Sequence, residues 1–266
     1  MINSKILFNR KGRLSHITTI LKNASADVML LQEVMQTEYN SLYETFNSDY
    51  YIIKGNNITW SNKKSYSGNV TFLNKTLFFL SENNSNPLIR YLPFGLHVKC
   101  YFLDTRNDVK ENVKENICSL TSSSSSSQTY HSKLNKNAYI KPKSNYKLTP
   151  IDIINVHLDY NSHAKRISEI KSIESEINKS SRVILGGDFN QDHKPSTHLY
   201  QLLQSMRLKL YIKDPTYLIK KISIDHIMTK GFSGNSYGCV INNYGNDIIQ
   251  QFIEYGSDHL PVITII

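Results

Sequence analysis

Five short apolar segments of this chain each run into a carboxylate, an imidazole or both, and that pattern constrains the fold more than any other feature. Asp27-Val28-Met29-Leu30-Leu31 stops at Gln32-Glu33, and Ile151 to Val156 stops at His157. Val183-Ile184-Leu185 passes through Gly186-Gly187 to Asp188-Phe189-Asn190. Ile222-Ser223-Ile224 is followed by Asp225-His226, and Gly256-Ser257 by Asp258-His259. The first three runs read as buried strands. Between them lie helical stripes: Ile17, Ile20, Leu21 and Ala24; then Ala164, Ile167, Ile170, Ile173 and Ile177 behind Ser162 as N-cap; then Leu199, Leu202, Leu203 and Met206. Short apolar runs alternating with such stripes indicate an α/β protein whose helices cover a sheet. A polar group where a buried strand ends sits at the sheet rim, facing solvent on a rigid anchor.

The composition of this rim set points to a reaction. Carboxylates and a side-chain amide without thiolates suit a hard, oxygen-loving cation such as Mg²⁺ or Mn²⁺. Histidines among them supply proton transfer or hydrogen bonding near neutral pH. Hydrolysis of a phosphate ester uses all of these components. The sequence carries no Walker-type glycine loop, no GxGxxG fingerprint and no GxSxG elbow, so nucleotide-driven transfer, dinucleotide chemistry and serine hydrolysis lack support.

At these residues the sequence resembles the endonuclease/exonuclease/phosphatase superfamily. Leu31-Gln32-Glu33-Val34, Asn155-Val156-His157-Leu158-Asp159, Gly187-Asp188-Phe189-Asn190, Ile224-Asp225-His226-Ile227 and Ser257-Asp258-His259-Leu260-Pro261-Val262 match its motifs in order. Ser67-Gly68-Asn69-Val70 and Pro215-Thr216-Tyr217 add to the likeness. The resemblance implies a four-layer αββα sandwich of two mixed sheets flanked by helices, with Mg²⁺- or Mn²⁺-dependent cleavage of phosphoester bonds at one edge. It implies Glu33 as principal metal ligand and Asp258 near the metal. Asp188 orients or deprotonates the attacking water, with Asn190 beside it. His259 is the catalytic imidazole, its tautomer fixed by Asp225, and His157 hydrogen-bonds the phosphate or protonates the leaving group. His226 and Arg166 are read as structural. Family members also place an Asn after a first strand; Phe8-Asn9 gives that pattern, so Asn9 is the expected third metal-site residue, with Asn3 as the alternative.

Segment 104–146 differs from its flanks. It contains an unbroken run from Ser122 to Ser127, alternates Lys and Asn, and is poor in apolar residues. Such a stretch buries too little surface to offset its ordering entropy. With related motifs on both sides, the 266 residues read as one domain, 1–266, carrying a disordered insertion. The 31 Lys and Arg against 22 Asp and Glu give a net charge of +9, which favours polyanionic partners, though part of the surplus lies in the insertion. Cys100, Cys118 and Cys239 lack CxxC spacing, so neither a disulfide framework nor a thiolate zinc site is indicated. There is no apolar run of membrane-spanning length and no N-terminal apolar stretch of a secretory signal. An intracellular monomer is expected, with organelle import compatible with the basic start at Lys5, Arg10, Lys11 and Arg13.

The substrate class expected from these readings is nucleic acid or a nucleotide-containing phosphodiester, with Trp60 or exposed tyrosines able to stack bases. His157-Leu158-Asp159-Tyr160 and Pro195 to Tyr200 resemble the small phosphodiesterase and deadenylase branches more than abasic-site endonucleases. The alternatives are a phosphatase or lipid phosphodiesterase acting on a small head group, and a non-catalytic basic binding protein that retains the fold.

Overall fold

The computed structural model describes residues 10–56, 60–61, 64–65, 67–80, 88–103, 148–192, 194–233, 236–242, 247, 250–251 and 255–266. Asn9, Asn3, Cys118, the side chain of Trp60 and the Ser-rich segment 104–146 lie outside the described residues.

The three apolar runs form strands, and the stripes between them form helices. In chain order the elements are α1 (Arg10–Ala24), β1 (Val28–Val34), α2 (Gln36–Phe46), β2 (Tyr50–Lys54), β3 (Trp60–Ser61), β4 (Lys64–Ser65), β5 (Gly68–Asn74), β6 (Phe78–Phe79), β7 (Leu88–Leu92) and β8 (Gly95–Leu103). They continue with β9 (Leu148–His157), α3 (His163–Lys179), β10 (Val183–Asp188), α4 (His198–Ser205), β11 (Lys209–Leu210), β12 (Asp225–Lys230), β13 (Tyr237–Val240) and β14 (Val262–Ile265). Ser162 caps α3 as expected, its hydroxyl accepting from Lys165 N at 3.2 Å. Ile167, Ile170, Ile173 and Ile177 form the buried face of α3, while Ala164 stays exposed on its first turn.

One sheet has the order β1-β5-β2 and is antiparallel throughout. The larger, mixed sheet runs β11-β12-β10-β9-β8-β6, with β7 also on β8. Its one parallel pair among the described strands is β9 with β10, and α3 makes the crossover between them, as a parallel connection requires. β13 and β14 form a separate antiparallel pair.

Side-chain alternation separates the layers. On β9, Ile151 and Ile153 join Leu73, Leu96, Val98 and Ile184 between the sheets. Ile154 and Val156 point the other way, against Ile170, Ile173 and Ile177 of α3 and Leu199 and Leu203 of α4. A third core places Leu42 and Phe46 of α2 and Leu14 and Leu21 of α1 on Met29, Val70 and Phe72. The result is helix, sheet, sheet, helix: the expected αββα sandwich.

The sequence order of the motifs does not reveal one feature of this sheet. Asp225 opens β12 rather than closing a strand, because β12 runs antiparallel to β10. Its first residue therefore lies at the same edge as the last residues of β9 and β10.

Candidate active site

The pairing register brings three motif residues into one row. Asp188 lies opposite His157 in the parallel pair and opposite Asp225 in the antiparallel pair. All three share the alternation phase of Ile153, Ile184 and Ile227, so they face the gap between the sheets. Asp188 Oδ2 is 3.7 Å from His157 Nε2. Gly187, with φ +133°, allows this closeness, since a Cβ there would fall 2.0 Å from Val156 O. Asn190 follows in a left-handed conformation (φ 48°), its N–H donating to Asp188 Oδ1 at 2.7 Å and its Nδ2 to Leu158 O at 2.9 Å.

The opposite sheet contributes Glu33. The pairing of β1 with β5 shifts between Leu31 and Val34, and Glu33 sits in this bulge with φ 56°. A bulge re-aims the side chain it carries. Here Glu33 Oε1 comes within 4.0 Å of His157 Nε2, while its side chain remains 65% exposed.

His259 completes the cluster. Its Nδ1 hydrogen-bonds Asp225 at 2.9 Å to Oδ2 and 3.1 Å to Oδ1. The ring packs at 5.0 Å from that of Tyr217, and the two residues form an isolated β-bridge. Leu218 N donates to Asp258 O and Leu260 N to Thr216 O, tying this segment to the turn before β12. Thr216 Oγ1 accepts from both Ile224 N and Asp225 N at 3.0 Å, which fixes the start of β12.

These groups move one another's titration apart. Burial and the neighbouring Asp225 push Asp188 up to about 7. Burial alone would lower His259, but its hydrogen bond to Asp225 and the surrounding carboxylates raise it to about 9. His157 moves below its ordinary value through burial and the cationic His259, with Glu33 and Asp225 opposing. One histidine is therefore held protonated at neutral pH and the other neutral, with an acid of intermediate strength between them.

A model of the Endonuclease/Exonuclease/phosphatase family matches residues 6–259. The chain belongs to this family. No curated protein sequence matches it significantly. Solved structures share the fold at low identity. ANGEL2, a 2',3'-cyclic phosphatase, in complex with adenosine-2',3'-vanadate is 14% identical over 97% of this chain and 87% of that one, with TM-score 0.60. The human Nocturnin catalytic domain with bound sulfate is 15% identical over 96% and 85%, with TM-score 0.57. D. rerio TDP2 with a single-strand DNA product is 12% identical over 97% and 92%, with TM-score 0.55.

Endonuclease/exonuclease/phosphatase enzymes are hydrolases of phosphoester bonds and are generally dependent on a divalent metal. The donors at this site fit such an ion. The rim offers the carboxylates of Glu33, Asp188, Asp225 and Asp258 and the amide of Asn190, a hard oxygen set. The thiol of Cys100 is remote, buried between the sheets and pushed up to about 12 by burial and Asp152. Asp188, Asp225 and His259 each bring one ligand atom within 4.8 Å of the others. That trio already contains the His259–Asp225 hydrogen bond, which leaves Glu33, the exposed carboxylate across the gap, as the best-presented oxygen donor.

Of the residues singled out from sequence, His157, Asp188, Asn190, Asp225, His259 and Glu33 come together. Asp258 adjoins them, close enough to raise both Tyr217 and His259. His226 points to the opposite face of β12, its ring 5.5 Å from that of Phe189. Two further contributors had a sequence signal without a role. Tyr217 was part of a motif, and Asn155 is the lone amide inside an apolar run. Asn155 is fully buried and bonds both sheets.

Proposed function

We propose that this chain is a Mg²⁺- or Mn²⁺-dependent phosphodiesterase acting on nucleic acid or a nucleotide-containing substrate. The observation that carries the reading is the His157–Asp188–Asp225 row, faced by Glu33 and closed by the Asp225–His259 pair. Glu33 and Asp258, with Asn9 assigned from the sequence resemblance, would hold the cation. The bound cation supplies neutralisation of the non-bridging phosphate oxygens.

The other roles belong to side chains. Asp188 orients the attacking water and accepts its proton as the new P–O bond forms. Asn190 anchors Asp188 and the loop beside the phosphate. His259, kept protonated by Asp225, donates to a phosphate oxygen, which becomes more valuable as charge grows in the transition state. His157, held neutral, hydrogen-bonds the phosphate, and the leaving oxygen takes a proton from solvent as its bond to phosphorus breaks.

We read the chain as a single domain in which 104–146 is an insertion, supported by the family match running across that segment. We assign it to the cell interior as a monomer. Among the described residues no helix is long and apolar enough to cross a membrane. The net charge of +9 supports a polyanionic substrate.

The test is a cleavage panel of DNA, RNA, a phosphodiester reporter, phosphomonoesters and sphingomyelin, with Mg²⁺ or Mn²⁺ and with chelator. Oligonucleotide cleavage that needs the cation and disappears in Asp188→Asn is the expected result. Faster turnover of phosphomonoesters or sphingomyelin would move the assignment to a phosphatase or lipid phosphodiesterase. Activity surviving in Asp188→Asn would overturn the mechanism.

A further inference from the structure

Two loops frame the row of site residues, and each presents side chains that the hydrolytic chemistry leaves unused. One follows β9 and the other precedes β12. Both strands flank β10, so the loops spring from positions about 10 Å apart, on either side of Asp188.

The loop after β9 is fixed from several directions. Asp159 Oδ1 accepts from Asn161 N at 3.0 Å and Ser162 N at 2.8 Å, and Oδ2 binds Lys165 Nζ at 2.6 Å. Buried Arg166 donates from Nη1 to Asp159 O at 2.8 Å and from Nη2 to Gln191 Oε1 at 3.1 Å. The ring of Tyr160 is nevertheless 75% exposed, the most of any large hydrophobic side chain among the described residues. A rigid loop holding an aromatic ring in solvent, three residues after His157, is suited to contact a ligand rather than a core.

The loop before β12 is a tight turn. Thr216 N and Tyr217 N both donate to Ile222 O at 3.0 Å, closing it beside His259. Ile219, Lys220 and Lys221 project from its tip, all exposed. Lys221 has φ 53°, a left-handed conformation that glycine would adopt with less strain. Among the described residues no carboxylate pairs with either lysine.

We propose that these loops form a track for a single nucleic-acid strand: Tyr160 stacks on a base on one side of the scissile phosphate, and Lys220 and Lys221 hold backbone phosphates on the other. The track rests on the phosphodiesterase reading above and adds to it an extended substrate, as opposed to a lone head group. A stacked base tolerates any sequence, because every base has a π face. The two lysines add a salt-sensitive, sequence-independent hold.

The experiment measures binding by anisotropy of 5'-fluorescein-labelled single-stranded 10-mers, one DNA and one RNA, to Asp188→Asn protein. In that background Tyr160→Ala is expected to weaken binding by about 10-fold or more, and Tyr160→Phe by less than about twofold. The pair Lys220→Ala/Lys221→Ala is expected to weaken binding and to flatten the plot of log K against log salt by about 0.7 per lysine. Circular dichroism of each variant confirms folding, which these exposed positions should leave intact. Binding by Tyr160→Ala equal to that of its parent, or an unchanged salt slope, overturns the track while oligonucleotide cleavage by the wild type keeps the underlying reading. A wild type that cleaves phosphomonoesters but no 10-mer overturns the underlying reading itself.

Discussion

Gln32 Nε2 donates to Asn155 Oδ1 at 2.7 Å, joining the two sheets one residue from Glu33 and two from His157. Asn69 Nδ2 reaches the same oxygen at 3.0 Å, and Asn155 Nδ2 donates to Leu31 O at 3.1 Å and Val70 O at 3.0 Å. One fully buried amide thus fixes the separation across which Glu33 and Asp188 face each other.

Asn155→Ala should therefore be costly. It takes the side-chain acceptor from the Gln32 and Asn69 amides, which keep only Leu30 O and the main-chain O of residue 155, and the donor from Leu31 O and Val70 O, and about 2–4 kcal/mol of stability should be lost. Urea unfolding gives the number. A loss below about 0.5 kcal/mol would show that the sheets are held elsewhere.

Asp188→Asn should stabilise the metal-free protein at alkaline pH while removing activity. The folded carboxyl titrates near 7, above its unfolded value of about 3.9. The folded state thus binds more protons between those values, and wild-type stability falls as pH rises through that window. The variant escapes this fall. With chelator present, its melting temperature should exceed that of wild type at pH 8, and the gap should close towards pH 4. An equal gap at both pH values would contradict the shift.

Asp225→Asn should bring His259 down from about 9 towards the ordinary histidine range, because the hydrogen bond and charge that raise it are removed. An NMR titration of the metal-free protein reads this directly. At pH 8, where wild-type His259 stays protonated, the variant's ring should be mostly neutral. An unmoved titration would show that Asp225 does not control the imidazole.

A second buried pair lies far from the site. His97 Nε2 meets Asp152 Oδ1 at 2.5 Å, with Ser180 bonded to the other carboxylate oxygen. Burial pushes Asp152 up, but the hydrogen bonds from His97 and Ser180 outweigh it and hold the carboxyl below its ordinary value. A depressed acid contributes stability above its unfolded pKa and loses it as pH falls through the folded one. Asp152→Asn should cost about 2–4 kcal/mol at pH 7, and progressively less as the pH falls below the ordinary carboxylate range. KM should stay unchanged, which separates this pair from the site.

Much of the site was legible because its chemistry clusters at the ends of apolar runs. Glu33, His157 and Asp188 close such runs, and the alternation in β9 and β10 assigns His157 and Asp188 a face, whereas Glu33 takes its aim from the bulge in β1. Asp225 was legible as a residue but not as a position. Periodicity carries no strand direction, and only the antiparallel pairing of β12 with β10 shows that a strand's beginning serves the same edge. Ala164, placed on the apolar stripe, stays exposed because a helical stripe does not mark where its first turn leaves the core. Tyr217 and Asn155 gained roles only from long-range contacts, His259 in one case and the facing sheet in the other.

The alternation along β12 also makes catalytic competence a matter of folding accuracy. Asp225 faces the gap and His226 the helix layer, so a slip of one residue against β10 would exchange them. The misregistered chain could retain its helices and much of its apolar packing yet present an imidazole where Asp188 needs a carboxylate neighbour. The Thr216 hydroxyl, which grips Ile224 N and Asp225 N together, guards against that inactive isomer. Specific activity in a refolded sample would thus count correctly threaded molecules, a quantity that secondary-structure content alone does not distinguish.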